Sequence, residues 1–386
     1  MKKRCQACKR ELDSSSFNGS SKEPDGLAKV CSTCVNKRRR ARYGATRSET
    51  GHETPPRLRD LVKKGDFGAV KKNRSLIDAS NRDRLLALAV SDFKSAPKKS
   101  SHVELVKFLI QVGARPDFHL VCAATVGPHI DIMNALIEAG AEHNIFTAAA
   151  VGDVDRVREL LAIDSTKTTG CELPPEEHMT ALNYACRSEL GKVNQACAER
   201  LFLCAELLLD HQSKSVAGSL GVSPNGIGSP LEMCAWRGGN VKIARLLIAH
   251  GWQPTVGTVL AALGHFQRHG QGNYDVAALC LESGVDINEM AEGRTLLHAF
   301  AHQGDIVGTR WLVDKGAIIN VRDLAHNTPL HKACRRNSTV AVVKLLVEHG
   351  ASLTATNNNG ETPLDMAIQN DKKSIVAYLR SVSAKA

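Results

Sequence analysis

The 386-residue chain contains no run of apolar residues near the ~20 that a membrane-spanning helix requires. Its start, Met1-Lys2-Lys3-Arg4-Cys5, has no apolar stretch behind the charges, so no secretory signal is read there. A Gly-rich phosphate loop, a Ser-His-Asp order and a His-Glu-x-x-His helix are also missing, and with them the usual grounds for an enzyme. These absences lead to the expectation of a soluble, intracellular, cytoplasmic, non-enzymatic protein with no membrane contact and no small-molecule substrate.

With 43% apolar and 23% charged residues, the chain has enough apolar sequence for a sizeable core. Its charge is uneven. Residues 1–47 carry 13 Lys/Arg against 4 Asp/Glu, a net of +9, which leaves +1 of the total +10 for the other 339 residues. The basic balance therefore describes one short segment and licenses a polyanion partner for that segment alone. The twelve cysteines divide in the same way: four lie in the first 34 residues, and the other eight, Cys122 to Cys334, sit mostly in apolar surroundings as small hydrophobes.

A repeat organises most of the remainder. Thr295-Leu296-Leu297-His298, Thr328-Pro329-Leu330-His331 and Thr362-Pro363-Leu364-Asp365 start 33 and then 34 residues apart. In step with them, Gly251, Gly284, Gly316 and Gly350 follow apolar helical patterns at spacings of 33, 32 and 34, each suited to the left-handed residue that ends a helix. Thr328 can cap a helix whose first turn holds Pro329, Leu330 and Ala333 face a neighbouring unit, and Leu345 and Leu346 fill the stack. Gly65-Asp66, Gly152-Asp153 and Gly304-Asp305 mark the turn between two helices of a unit. These residues resemble the ankyrin repeat. The resemblance implies a mainly α solenoid of about nine or ten helix-turn-helix units over residues 57–386, with insertions near 94–101, 171–175, 188–198 and 213–229. It also implies that the two residues before the inter-helix glycine position are exposed to a protein partner: Arg187 and Ser188, Trp236 and Arg237, His302 and Gln303, Arg335 and Arg336. Trp236-Arg237 is the leading pair, since Trp and Arg dominate interface hot spots. His298 and His331 occupy a fixed repeat position that elsewhere holds Asp365, Asn183 or Glu232, which points to a structural bond rather than catalysis.

The first four cysteines read differently. Cys5-x2-Cys8 and Cys31-x2-Cys34 form two knuckles 22 residues apart, able to supply the four thiolates of one structural Zn2+ per chain. A redox dithiol is the other reading of each pair; it needs a thioredoxin-like strand and helix that the flanking sequence does not provide. Phe17, the hairpin turn Asp25-Gly26 and a breaker-free basic stretch after Cys34 complete an order of knuckle, hairpin, knuckle, helix over residues 1–47, followed by a linker at 48–56. This segment resembles the small zinc module found alone or beside HNH-type endonucleases in phages and bacteria. Nuclease activity does not follow, because Asp210-His211 lies at a helix end with no completing Asn and His. Lys37, Arg38, Arg39, Arg40 and Arg42 have three readings: solvated charge, a nuclear address in a eukaryotic cell, or phosphate contacts to DNA or RNA without base readout.

The resulting expectation is a scaffold for protein–protein interaction joined to a zinc finger with nucleic-acid affinity. The alternative is a substrate-recruiting subunit of an enzyme complex such as a ubiquitin ligase. Elemental analysis of protein prepared without chelator should return one zinc per chain; none, or two, would refute the four-cysteine assignment. Cys31→Ser should unfold only about the first 50 residues, because the repeats have their own core.

Overall fold

The computed structural model describes residues 2–4, 11–13, 17–19, 27–31, 56–91, 100–127, 129–164, 179–212, 229–264, 272–335 and 339–384. Cys5, Cys8, Cys34, the run Lys37, Arg38, Arg39, Arg40 and Arg42, and Arg336 lie outside the described residues. The chain divides into two compact units, Met1–Arg115 and Pro116–Ala386.

The first unit opens with four short strands. β1 (Lys2–Arg4) pairs antiparallel with β2 (Glu11–Asp13), and β3 (Phe17–Gly19) with β4 (Leu27–Cys31). The turn expected at Asp25-Gly26 lies outside the described residues, and β4 ends on Cys31. Two helix pairs follow: α1 (Pro56–Lys63) with α2 (Phe67–Lys72), and α3 (Arg82–Ser91) with α4 (Ser100–Gln111). Leu58, Val62, Val70, Leu85, Leu86, Leu105 and Leu109 form their core.

Among its described residues the second unit holds eight further helix pairs. They are α5 (Phe118–Val126) and α6 (Ile130–Glu138), α7 (Ile145–Val151) and α8 (Val154–Ile163), α9 (Ala181–Arg187) and α10 (Gln195–Gln212), and α11 (Pro230–Met233) and α12 (Val241–Ala249). Then come α13 (Val256–Ala262) and α14 (Tyr274–Glu282), α15 (Leu296–Gln303) and α16 (Ile306–Asp314), α17 (Pro329–Ala333) and α18 (Val340–Glu348), and α19 (Pro363–Gln369) and α20 (Lys373–Ser383). First helices pack on first helices, as α15 does on α17, and second on second, as α16 does on α18 and α18 on α20. Leu330, Ala333, Leu345 and Leu346 are all buried in this stack. The stretch 188–198, expected as an insertion, folds as a 3-10 turn at Glu189–Lys192 and the start of α10.

Six of the units start from the same local device. A Thr or Ser N-cap accepts from the N–H three residues on, and the side chain there reaches back to the cap's own N–H, so two orphan donors are satisfied together. The pairs are Thr180/Asn183, Ser229/Glu232, Thr255/Thr258, Thr295/His298, Thr328/His331 and Thr362/Asp365. Gly251, Gly284, Gly316 and Gly350 take φ values of 92°, 99°, 90° and 86°, the left-handed region their spacing predicts.

The two histidines extend the device across units. The Thr295 N–H donates to His298 Nδ1 at 3.3 Å, and Nε2–H donates to the carbonyl of Asn327 at 2.9 Å. His331 repeats this, accepting from Thr328 N–H at 3.1 Å and donating to the Glu361 carbonyl at 3.0 Å. Each ring is held as the neutral tautomer protonated at Nε2. His211, at the end of α10, bonds the Leu207 carbonyl through Nδ1 at 2.8 Å, an ordinary helix-end contact.

Seven cysteines, at 122, 186, 197, 204, 234, 280 and 334, are free and buried. Burial pushes the thiols of Cys122, Cys204, Cys234 and Cys334 up to about 12 and that of Cys280 to about 11. They behave as apolar core atoms. Among the described residues no helix is long and apolar enough to cross a membrane.

Burial lowers the proton affinity of both His298 and His331 below the ordinary value of 6.5. Below pH 6.5 the unfolded chain therefore binds protons that the folded one refuses, and stability falls as pH drops from 6.5 towards the folded-state values. Denaturant unfolding at pH 7.5 and 5.5 should show this loss. The double variant His298→Gln/His331→Gln should have a visibly flatter pH slope; an unchanged slope would remove the two rings from the account.

Candidate functional site

The side chains expected to meet a partner lie where the first helix of a unit hands over to the second. In α15 the design is simple: nine residues after the cap Thr295, Gly304 adopts φ 76° and Asp305 caps α16. His302 is half-buried and Gln303 exposed just before it. Burial, with Arg335, Lys332 and Arg294 nearby, lowers the His302 proton affinity.

The unit starting at Ser229 departs from this. Its left-handed glycine is Gly239, φ 66°, ten residues after the cap. The extra residue is absorbed as a π turn over Cys234–Gly238, closed by Gly239 N–H donating to the Cys234 carbonyl at 2.8 Å. Such turns often accompany functional positions. Gly238 was expected to be the turn glycine; the structure gives that role to Gly239, and Trp236 and Arg237 project from the widened turn. Trp236 is half-buried rather than exposed. The Arg237 guanidinium lies 4.6 Å from the Trp236 ring centroid, a cation–π stack, and its Nη1 is 3.7 Å from Glu189 Oε1.

Glu189 belongs to the preceding unit. There α9 ends at Arg187, whose guanidinium is 5.7 Å from the Tyr184 ring centroid. Ser188, expected on the surface, is only 1% exposed: it is the extended hinge between α9 and the 3-10 turn, folded under its neighbours. That turn brings Glu189 and Lys192 beside Arg187 and Arg237. Burial raises the Glu189 carboxyl despite Lys192 and Arg237, and lowers the proton affinity of Arg187 and Lys192. Arg187, Trp236 and Arg237 thus meet, together with Tyr184, Glu189 and Lys192. Glu189 stands at the glycine position that follows Arg187 and Ser188 in the repeat, and its charge close to Arg187 and Lys192 in sequence was the available signal.

Arg335 is exposed and, with Lys332, Asn327, Asn357, Asn359 and Glu361, lines a polar pocket of about 430 Å³. Lys332 Nζ is 2.5 Å from Asp323 Oδ2, and Glu361 accepts from the side-chain amides of Asn357 at 2.8 Å and Gln369 at 2.6 Å. This pocket, too, was not foreseen. Among the described residues no cluster of His, Cys, Asp or Glu is arranged to hold a metal.

The family model described as "Ankyrin repeats (3 copies)" matches residues 267–357 and 309–385, so this part of the chain carries ankyrin repeats. The human protein "Palmitoyltransferase ZDHHC13" is 31% identical over 255 residues, covering 64% of this chain and 37% of that protein. "E3 ubiquitin-protein ligase KEG" of Arabidopsis thaliana is 24% identical over 417 residues, 94% of this chain and 24% of its own length. The mouse "Ankyrin repeat and SOCS box protein 16" is 35% identical over 101 residues, 24% of this chain and 22% of that protein. The chain therefore spans little more than a third of ZDHHC13 and about a quarter of KEG.

Gly238 decides how the site is held. A Cβ there would collide with the Cys186 carbonyl, so only glycine lets the π turn lie against α9. Gly238→Ala should cost ~2 kcal/mol, as overpacking typically does, measured by the urea midpoint. An unchanged midpoint would mean that the turn is not clamped to α9.

Proposed function

We propose that the chain is a non-enzymatic binding adaptor whose repeat array takes up a protein partner at the handover between first and second helices, centred on Trp236 and Arg237. The observation that carries this reading is the π turn. It places a stacked Trp–Arg pair, the residue types richest in binding hot spots, at a surface-reaching position on a rigid stack. His302, Gln303 and Arg335 offer further contacts on later units.

The same proposal assigns residues 1–47 a structural zinc and weak contact with DNA or RNA. Four cysteines in two knuckles are a complete tetrahedral donor set, and the ion would fold a segment too short for its own core. The ligands would be Cys5, Cys8, Cys31 and Cys34; β4 ends on Cys31. Lys37, Arg38, Arg39, Arg40 and Arg42 would meet phosphates, with no set of side chains for reading bases.

A second reading is favoured by one finding: the likeness to a protein named as an E3 ubiquitin-protein ligase runs over 94% of this chain. In that reading the array recruits substrates to a ligase complex.

Affinity purification with quantitative mass spectrometry, wild type against Trp236→Ala/Arg237→Ala, tests the adaptor. A partner lost by the double variant, with binding weakened by ~2 kcal/mol or more, is the expected result. Equal recovery would sink the site, and a co-purified ubiquitin-conjugating enzyme would favour the second reading. Binding of residues 1–47 to nucleic acid should fall steeply with salt and vanish when Arg38, Arg39, Arg40 and Arg42 become Ala.

A further inference from the structure

Resting on the adaptor reading, we propose that the partner segment is acidic and that one of its carboxylates seats among Arg187, Lys192 and Arg237, in the place Glu189 now holds. The cluster is assembled from three elements: the end of α9, the 3-10 turn and the π turn. It contains three cations and one carboxylate, so two positive charges are left over. Arg187 and Lys192 make no ion pair within 4 Å among the described residues; Arg187 lies 5.7 Å from the Tyr184 ring centroid and feels Glu189 only at longer range. The single pair present, Arg237 to Glu189 at 3.7 Å, is well short of the ~2.8 Å contact of a charge-assisted hydrogen bond.

Such an arrangement is incomplete in a definite sense. Burial weakens proton binding at Arg187, Lys192 reaches solvent, and the cations also repel one another. An incoming anion relieves both effects. A carboxylate is the anion the site already accommodates, because Glu189 stands in it loosely bound and itself destabilised as an anion by burial. The Trp236 ring lies 4.6 Å from the Arg237 guanidinium and the Tyr184 ring 5.7 Å from that of Arg187, so each arginine is within cation–π reach of an aromatic face.

Glu189 is therefore a resident competitor for Arg237. Removing its charge while keeping its shape should raise affinity for an acidic ligand. A merely structural role gives the opposite sign, since loss of the Arg237 pair would loosen the turn.

The test uses the full chain and N-acetylated hexaglutamate, followed by tryptophan emission. Residues 1–47 contain no tryptophan, so binding at the basic segment is silent. A saturable change is expected at low salt and should be lost in Trp236→Phe. Arg187→Gln and Lys192→Gln should each weaken binding ~5–10-fold, and Glu189→Gln should tighten it ~3-fold or more, with Lys373→Gln, exposed on α20, without effect. Misfolding cannot mimic the gain in Glu189→Gln. The absence of a saturable change, a loss in Glu189→Gln, or ~10-fold tighter binding of a phosphoserine hexapeptide would each overturn the carboxylate assignment. If hexaglutamate fails while Trp236→Ala/Arg237→Ala still loses the partner, the charge assignment falls and the adaptor reading stands; if both fail, both fall.

Discussion

The fold depends on how a short first helix begins. Several of these helices have only five to nine residues, too few to be stable alone, and each has unsatisfied N–H groups at its start. The reciprocal bond between a Thr or Ser cap and the side chain three residues later satisfies those groups. Where that side chain is histidine, its far nitrogen also fixes the backbone of the next unit, as His298 does to Asn327 and His331 to Glu361. Local helix formation and the spacing between units are then set by one residue. Shorter side chains at the same place, such as Asn183 and Asp365, cap their own helix.

Against that regular background, the departures are informative. Between cap and left-handed glycine the Ser229 unit has one residue more than the Thr295 unit, and the chain spends it on a π turn rather than a longer loop. The unit before it replaces the glycine with Glu189 and turns through 3-10 geometry instead. These irregularities are neighbours, and Gly238 lies against the Cys186 carbonyl between them. The charged and aromatic cluster is a product of that contact: a regular pair of units would not bring Glu189 under Arg237.

The period of 33 and 34 residues, the capping threonines and the left-handed glycines were legible because each rests on a local rule of backbone chemistry. The residues expected to face a partner were legible only as positions. Arg187, Trp236 and Arg237 do come together, yet Ser188 is buried and Trp236 half-buried, since exposure depends on how the neighbouring unit turns and not on register alone. Glu189 and Lys192 were hidden in a stretch that read as an insertion, and Asn357, Asn359 and Glu361 lie in a loop that carries no motif of its own. Side chains that meet across a unit boundary leave no periodic trace in the sequence.

The seven buried thiols have a consequence for the life of the molecule in oxidising conditions. While the stack is closed they are withheld from reagents, both by burial and because hardly any thiolate exists. Once a unit opens, its cysteine regains ordinary reactivity, and an added oxygen or disulfide would carry bulk and polarity that the space beside Ala333 or Ala235 has no room for. Opening under oxidant would then become a one-way step. The age of an individual molecule would be recorded in which units had ever come apart.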